Sequence, residues 1–310
     1  MSHQHQHEQQ RQHQGTDEAG EAALAELVDL DAEVLHSYLS EVTGWIGALA
    51  GDRPPHRLID LGSGTGTGTF ALLERFGAAD AIAVDLSAEM LGRVTGKAGV
   101  LGLADRVRTV QADLDAAWPA IGPADLVWAS ASMHHLADPD RVLAEILAAL
   151  LPGGRLVVAE IESFPRFLPD DIGLGRPGLE ARCQAVLADM RAADLPYLGA
   201  DWGARLTGAG FTVEAERTFD INLTPPLPPA TSRYAEATLR RIRSGLDGKL
   251  TADDLATLDT LLASDGPDGI RQRDDLTVRT TRMVWVAGRP PGEACGGRDR
   301  RGAVTGGGGG

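Results

Sequence analysis

Cysteine is nearly absent: Cys183 and Cys295 are the only two in 310 residues. They stand far apart, so no disulfide framework, zinc ribbon or CxxC redox centre is available. Both read as free thiols in a reducing compartment. No apolar run approaches the roughly 18 residues that a membrane span needs. Met1 to Gln14 is rich in His and Gln and holds no apolar signal core, so the expectation is a cytoplasmic protein. Basic clusters are scarce as well. The net charge is -15, and a nucleic-acid partner would call for a Lys/Arg stripe that is not there. The densest basic group, Arg240-Arg241-Ile242-Arg243, falls in a predicted helix and reads as a solvated face.

What the chain does have is a hydrophobic share of 43%, enough for a sizeable core, and a regular strand–helix alternation from 57 to 161. Four short apolar runs mark strands: 57–61, 81–85, 107–113 and 124–130. Ser87 and Asp138 stand where helix caps belong, with Pro139 in the first turn after the second. Leu151-Pro152-Gly153-Gly154 stops that helix, and 155–160 reads as a fifth strand. Such a βα repeat predicts a parallel sheet with right-handed crossovers, and ligands bind at the carboxyl ends of its strands.

The sharpest motif is Asp60-Leu61-Gly62-Ser63-Gly64-Thr65-Gly66. Glycine lets a backbone approach a nucleotide-like ligand because no Cβ intervenes. A dinucleotide fingerprint would place Gly or Ala where Thr67 stands, and no Lys-Ser/Thr pair completes a phosphate-binding P-loop. Asp85 falls roughly 20 residues past the loop, where a carboxylate accepts ribose hydroxyls in nucleotide folds. Asp60, Asp85 and Asp113 each end a successive β-run. Each alone also reads as a turn or cap residue.

The glycine motif, the three strand-end acids and the Leu-Pro-Gly-Gly-Arg-Leu turn before strand five together resemble the class I S-adenosylmethionine (SAM) dependent methyltransferase superfamily, best over 45–165. The resemblance implies an α/β, Rossmann-like, seven-stranded and mostly parallel sheet. Its last strand is antiparallel, its helices lie on both faces, and helical lid insertions are added. It implies SAM as cofactor, held by Asp60, Gly62, Ser63, Gly64, Gly66, Asp85, Leu86, Met90, Asp113, Leu114 and Ser130, with Asp113 on the adenine amino group. His134 and His135 follow strand four beside the place of the methyl group. There an imidazole suits general-base work near neutral pH, although each histidine also reads as an anchor for its loop. Glu160, ending strand five, is a candidate for orienting an acceptor. No metal is implied. The Asn/Asp-Pro-Pro-Tyr motif of enzymes that methylate nucleobases or protein amides is replaced by Ala131-Ser132-Met133-His134-His135, so the implied acceptor is a small molecule.

The expected organisation is a His/Gln-rich tail over 1–17, a helical cap over 18–50 and a methyltransferase domain over 51–290. A Gly/Arg-rich tail over 291–310 follows, and both tails read as disordered. Roughly 225–275 reads as helices inserted between the last two strands, either a substrate lid or a dimerisation element. A monomer or a homodimer is expected. A SAM-binding protein without transferase activity is the alternative reading. A nucleotide-dependent oxidoreductase ranks below it.

Overall fold

The computed structural model describes residues 19–290 apart from 264, 265 and 267. Cys295 and the expected terminal tails lie outside the described residues. The described residues open with two helices, α1 over 19–34 and α2, His36–Ala50. The alternating part then runs β1 Arg57–Leu61, α3 Thr67–Arg75, β2 Asp80–Asp85, α4 Ala88–Val100, β3 Val107–Gln111 and β4 Ala124–Ser130. A 3-10 turn at Met133–His135 leads to α5 Pro139–Ala149 and β5 Leu150–Arg166. The later elements are α6 Leu179–Asp194, α7 Trp202–Gly208, β6 Thr212–Leu223, α8 Thr231–Gly245, α9 Ala252–Leu262 and β7 Val278–Gly288.

Local chemistry starts the helices where the sequence predicts. The Ser87 hydroxyl accepts the Met90 N–H at 3.3 Å, and the Asp138 carboxylate accepts that of Arg141 at 3.1 Å with Pro139 behind it.

The seven strands lie in the order β3-β2-β1-β4-β5-β7-β6. The first five are mutually parallel, and β7 runs antiparallel to both β5 and β6. This is the Rossmann-like, mostly parallel sheet with an antiparallel last strand that the resemblance implies. Chain order reverses between β1 and β4, so the loops leaving those strands meet at the topological switch point.

Alternation sorts each strand between two layers. Leu58, Leu126 and Val157 pack on α2 and α3 through Val42, Ile46, Leu72 and Leu73. Ile59, Val127 and Val158 pack on α5 and α7 through Val142, Leu143, Ile146 and Leu206. A further core belongs to the additions. Leu30 and Val34 of α1, Leu179 and Leu187 of α6, Leu239 and Ile242 of α8, and Leu258 and Leu261 of α9 bury one another. Asp254, 2% exposed, ties α9 to α6 through Arg182 at 2.7 Å and to the loop before α6 through Arg176 at 2.9 Å. Arg182 holds its carboxyl near 2, below the usual carboxylate range.

Three boundaries differ from expectation, the first being the start of β5, which lies at Leu150 and not at Arg155. Strand β3 ends at Gln111, so Asp113 stands in the loop beyond it. Strand β5 continues to Arg166 through a stretch that the prolines mark as a break. Its pairing with β7 steps from Ser163–Thr281 to Arg166–Arg279, an irregular stretch in which Pro165 falls.

Candidate functional site

The glycine loop closes tightly after β1. Gly62, Gly64 and Gly66 have φ of +63°, +52° and +89°, the left-handed region that other residues enter at a cost. A Cβ on Gly62 would stand 2.5 Å from the Cβ of Ser132, and the Ser132 hydroxyl donates to the Leu61 carbonyl at 2.9 Å. The loops after β1 and β4 are therefore in direct contact. Ala131 reaches this junction at φ +49°, strained for an alanine. Ser130, half-buried, precedes it, opposite Ala159.

The three acids do different work. Asp60 is 3% exposed and lies beneath the loop, accepting the Thr69 hydroxyl at 2.6 Å. Burial pushes its carboxyl up to about 6. It does not open onto the site, so its place is that of a support for α3. Asp85 is half-buried at the end of β2. One oxygen accepts the Gly64 N–H at 2.8 Å and the other the Ser87 N–H at 2.9 Å. It thus braces the loop and faces it. Leu86, the next residue, leaves 65% of its surface in water. Asp113 is exposed and accepts the Asp115 N–H. Gln111 lies opposite Asp85 in the sheet, which puts Asp113 two residues beyond that point, with Leu114 next. Ser63 and Met90 are buried. Within the described residues the Ser63 hydroxyl has no partner.

Glu160 is 4% exposed, and both of its oxygens are engaged. One accepts the Met133 N–H at 3.0 Å, and the other lies 2.5 Å from Nδ1 of His134, itself 3% exposed. Glu160 therefore fixes the histidine turn instead of reaching for an acceptor, and His134 is the group it grips. His135 stacks on His134 with ring centroids 4.2 Å apart, and it is exposed. Loss of part of its water shell, followed by the charges of His134 and Arg241, pushes its pKa below the usual imidazole value. It is the exposed member of the pair, and it holds its proton less tightly than an ordinary imidazole.

The geometry can be set beside known proteins. Residues 58–154 match the family described as "Methyltransferase domain". Over those residues the chain carries a methyltransferase domain, in line with the resemblance to the class I SAM-dependent superfamily. The demethylmenaquinone methyltransferase of Thermus thermophilus is 36% identical over 118 residues, 38% of this chain and 53% of that protein. The trans-aconitate 2-methyltransferase of Azoarcus sp. is 42% identical over 101 residues, 33% of this chain and 37% of that protein. The chain thus spans about half or less of the length of these curated relatives. A protein from Bacillus halodurans C-125 with a provisional methyltransferase name superposes with a TM-score of 0.50 at 17% identity, over 80% of this chain and 98% of that one. That likeness is one of fold.

In this methyltransferase domain the matched segment ends at 154, so the helical additions fall outside it. One of them reaches the site. Val28 of α1 lies 3.7 Å from where a Gly64 Cβ would stand. Asp29 accepts the Thr65 hydroxyl and the Lys97 ammonium, each at 2.6 Å. Asp31 accepts the Tyr234 hydroxyl at 2.5 Å and pairs with Arg282 at 3.2 Å. Sequence reasoning missed these two. The available signal was a pair of acids two apart in an apolar helix, Val28-Asp29-Leu30-Asp31, where i and i+2 face different ways. It also missed Tyr38, whose buried hydroxyl has no partner among the described residues.

Proposed function

We propose that this protein transfers the methyl group of SAM to a small-molecule acceptor. The reading is carried by one observation: the Asp85 carboxylate meets the backbone of a loop in which every second residue is glycine, beside a leucine, Leu86, that stands in water. The residues suit the cofactor. A carboxylate with lone pairs to spare suits ribose hydroxyls, exposed Leu86 suits an adenine face, and Asp113 suits an adenine amino group. Gly62, Ser63, Gly64 and Gly66 would lie along the amino-acid part. Met90, Leu114 and Ser130 would complete the pocket, with Asp60 supporting it from below.

SAM supplies a methyl group already activated by its positively charged sulfur. The chain must then align an acceptor and keep water out. His135 is assigned the proton of the acceptor. His134 and Glu160 are positioning residues that set the turn from which His135 projects. Helices α1, α6, α8 and α9 form a lid over the site. The methyltransferase names of the partial relatives support the activity, and their acceptors, a quinone precursor and an unsaturated carboxylate in those names, support a small molecule. Among the described residues no helix is long and apolar enough to cross a membrane.

Titration calorimetry with SAM, and separately with NADH, tests the reading. Micromolar binding of SAM alone is the expected result. Binding of NADH alone, or of neither, would overturn it. SAM binding with no turnover across a broad acceptor panel would favour the cofactor-binding alternative.

A further inference from the structure

One step of the strand–helix repeat is out of pattern. A helix joins β1 to β2, β2 to β3 and β4 to β5, but the segment 112–123, from β3 to β4, forms none. On one face of the sheet Leu91 and Val94 of α4 pack on Ala83 of β2. On the other face the return to β4 is a loop, and a cavity of about 790 Å³ lies over the starting ends of β1, β2 and β3. That is the size of sites that take small organic ligands.

Sheet register sorts the lining. Ile59, Ile82 and Arg108 stand abreast on β1, β2 and β3, and residues abreast point to one face. Arg57 precedes Ile59 by two residues, so it shares that face, abreast of Asp80. Ile59, Ile82 and Ile121 of the loop belong to one apolar cluster. The two strand isoleucines thus make an apolar floor with a guanidinium group on each side. Strands β1 and β3 are two strand spacings apart, about 10 Å, a gap that two arginine side chains can close on one ligand.

Arg57 is fixed where it stands. Its N–H and that of His56 donate to the Asp125 carboxylate at 2.9 Å and 3.0 Å. Its guanidinium reaches the loop, since a Cβ on Gly122 would stand 3.1 Å from Nη2. Arg106, at the rim, donates from Nε to the Ala79 carbonyl at 3.0 Å. Asp80 lies 3.9 Å from Arg106 and leaves 75% of its side chain in water. Asp105 on the same rim is exposed. Among the described residues no carboxylate pairs with Arg57 or Arg108. The lining therefore sets three guanidinium groups against two solvated carboxylates, a local positive excess in a chain of net charge -15.

We propose that this cavity is a second ligand site, for a small organic anion with an apolar body. The body lies on Ile59 and Ile82 beneath the loop, and Arg57 and Arg108 hold the anionic oxygens with their planar forks. Arg57 begins the strand that ends in the glycine loop, so the site is about 16 Å from Gly62 at the opposite end of β1. It stands apart from the methyltransferase reading and does not need it.

The probe is the dye anilinonaphthalene sulfonate, an apolar body with one anionic group, titrated by fluorescence at low salt into the full chain. Wild type is expected to bind it saturably and more tightly than the uncharged analogue phenylnaphthylamine. Arg57→Gln and Arg108→Gln should each weaken dye binding about tenfold, the scale of one hydrogen bond to a charged group. Arg217→Gln, on the far edge strand β6, should leave it unchanged. Saturating SAM should leave the titration unchanged as well. Absence of saturable binding, equal binding by wild type and both cavity variants, or displacement of the dye by SAM overturns the site. Melting curves report folding. Arg108 is exposed on edge strand β3, so its variant decides the matter if Arg57→Gln misfolds.

Discussion

Asp85→Asn separates support of the loop from recognition of the cofactor. The carboxylate accepts two backbone N–H groups, from Gly64 at 2.8 Å and Ser87 at 2.9 Å. Asparagine keeps one oxygen and turns an NH2 toward the other donor. A hydrogen bond to a charged acceptor is worth about 1.5–3 kcal/mol, and half-burial puts this one at the low end, so stability should drop by roughly 1–2 kcal/mol. At a few degrees per kcal/mol in a domain this large, the melting temperature should fall by roughly 2–8 °C. The ribose reading adds a separate loss. One hydroxyl would lose its acceptor and the other would keep a neutral one, which weakens SAM binding roughly tenfold to a hundredfold. Melting curves and calorimetric titration at a temperature where the variant is folded read the two losses independently. A lowered melting temperature with SAM affinity within about twofold of wild type would refute the ribose role and leave Asp85 a loop brace.

Three further outcomes follow from the site. Asp60 holds its proton to about pH 6, against an ordinary 3.8. Between those values the native state keeps a proton that the unfolded chain gives up, so stability falls as pH rises through the window, by on the order of 3 kcal/mol. Asp60→Asn should flatten that part of a denaturation-versus-pH curve, and an unchanged slope would locate the titration elsewhere. His135 has a lowered pKa, so turnover should hold at neutral pH and fall only below the usual imidazole range. His135→Ala should reduce turnover about a hundredfold or more while SAM affinity holds, and equal turnover on a good acceptor would remove it as the base. A Cβ at Gly68 would stand 2.8 Å from Cδ1 of the buried Trp128 and 3.1 Å from the Asp60 carboxylate. Gly68→Ala should therefore cost about 1–3 kcal/mol in chemical denaturation through overpacking, and a neutral result would mean that the indole is free to shift.

The sheet was legible because its signals are local. Apolar runs, cap residues and the glycine turn each report on a few neighbouring positions, and they place β1, β2 and β4 within a residue. Where tertiary context decides, reading by residue type falls short. Pro165 reads as a break, yet it falls in an irregular stretch of β5. Asp60 and Asp85 look alike as strand-end acids, and only packing tells that one is sealed under α3 while the other meets the loop. Glu160 has the position of a group facing substrate, but a turn 26 residues away claims both of its oxygens. The α1 contacts were out of reach for the same reason, since nothing near Asp29 in the chain names Thr65 or Lys97 as its partners.

The shared core of the additions binds distant parts of the chain into one unit. Asp31 meets Tyr234 across 203 positions and Arg282 across 251, and Glu26 meets Arg233 across 207. A ribosome has released the five parallel strands, β1 to β5, before α8 exists to receive α1. During synthesis α1 therefore waits with Leu30 and Val34 unburied while the βα units beside it can already close. A chain interrupted before α8 would carry a finished nucleotide cradle beneath an unfinished cover. Its first symptom would be stickiness rather than loss of the parallel strands.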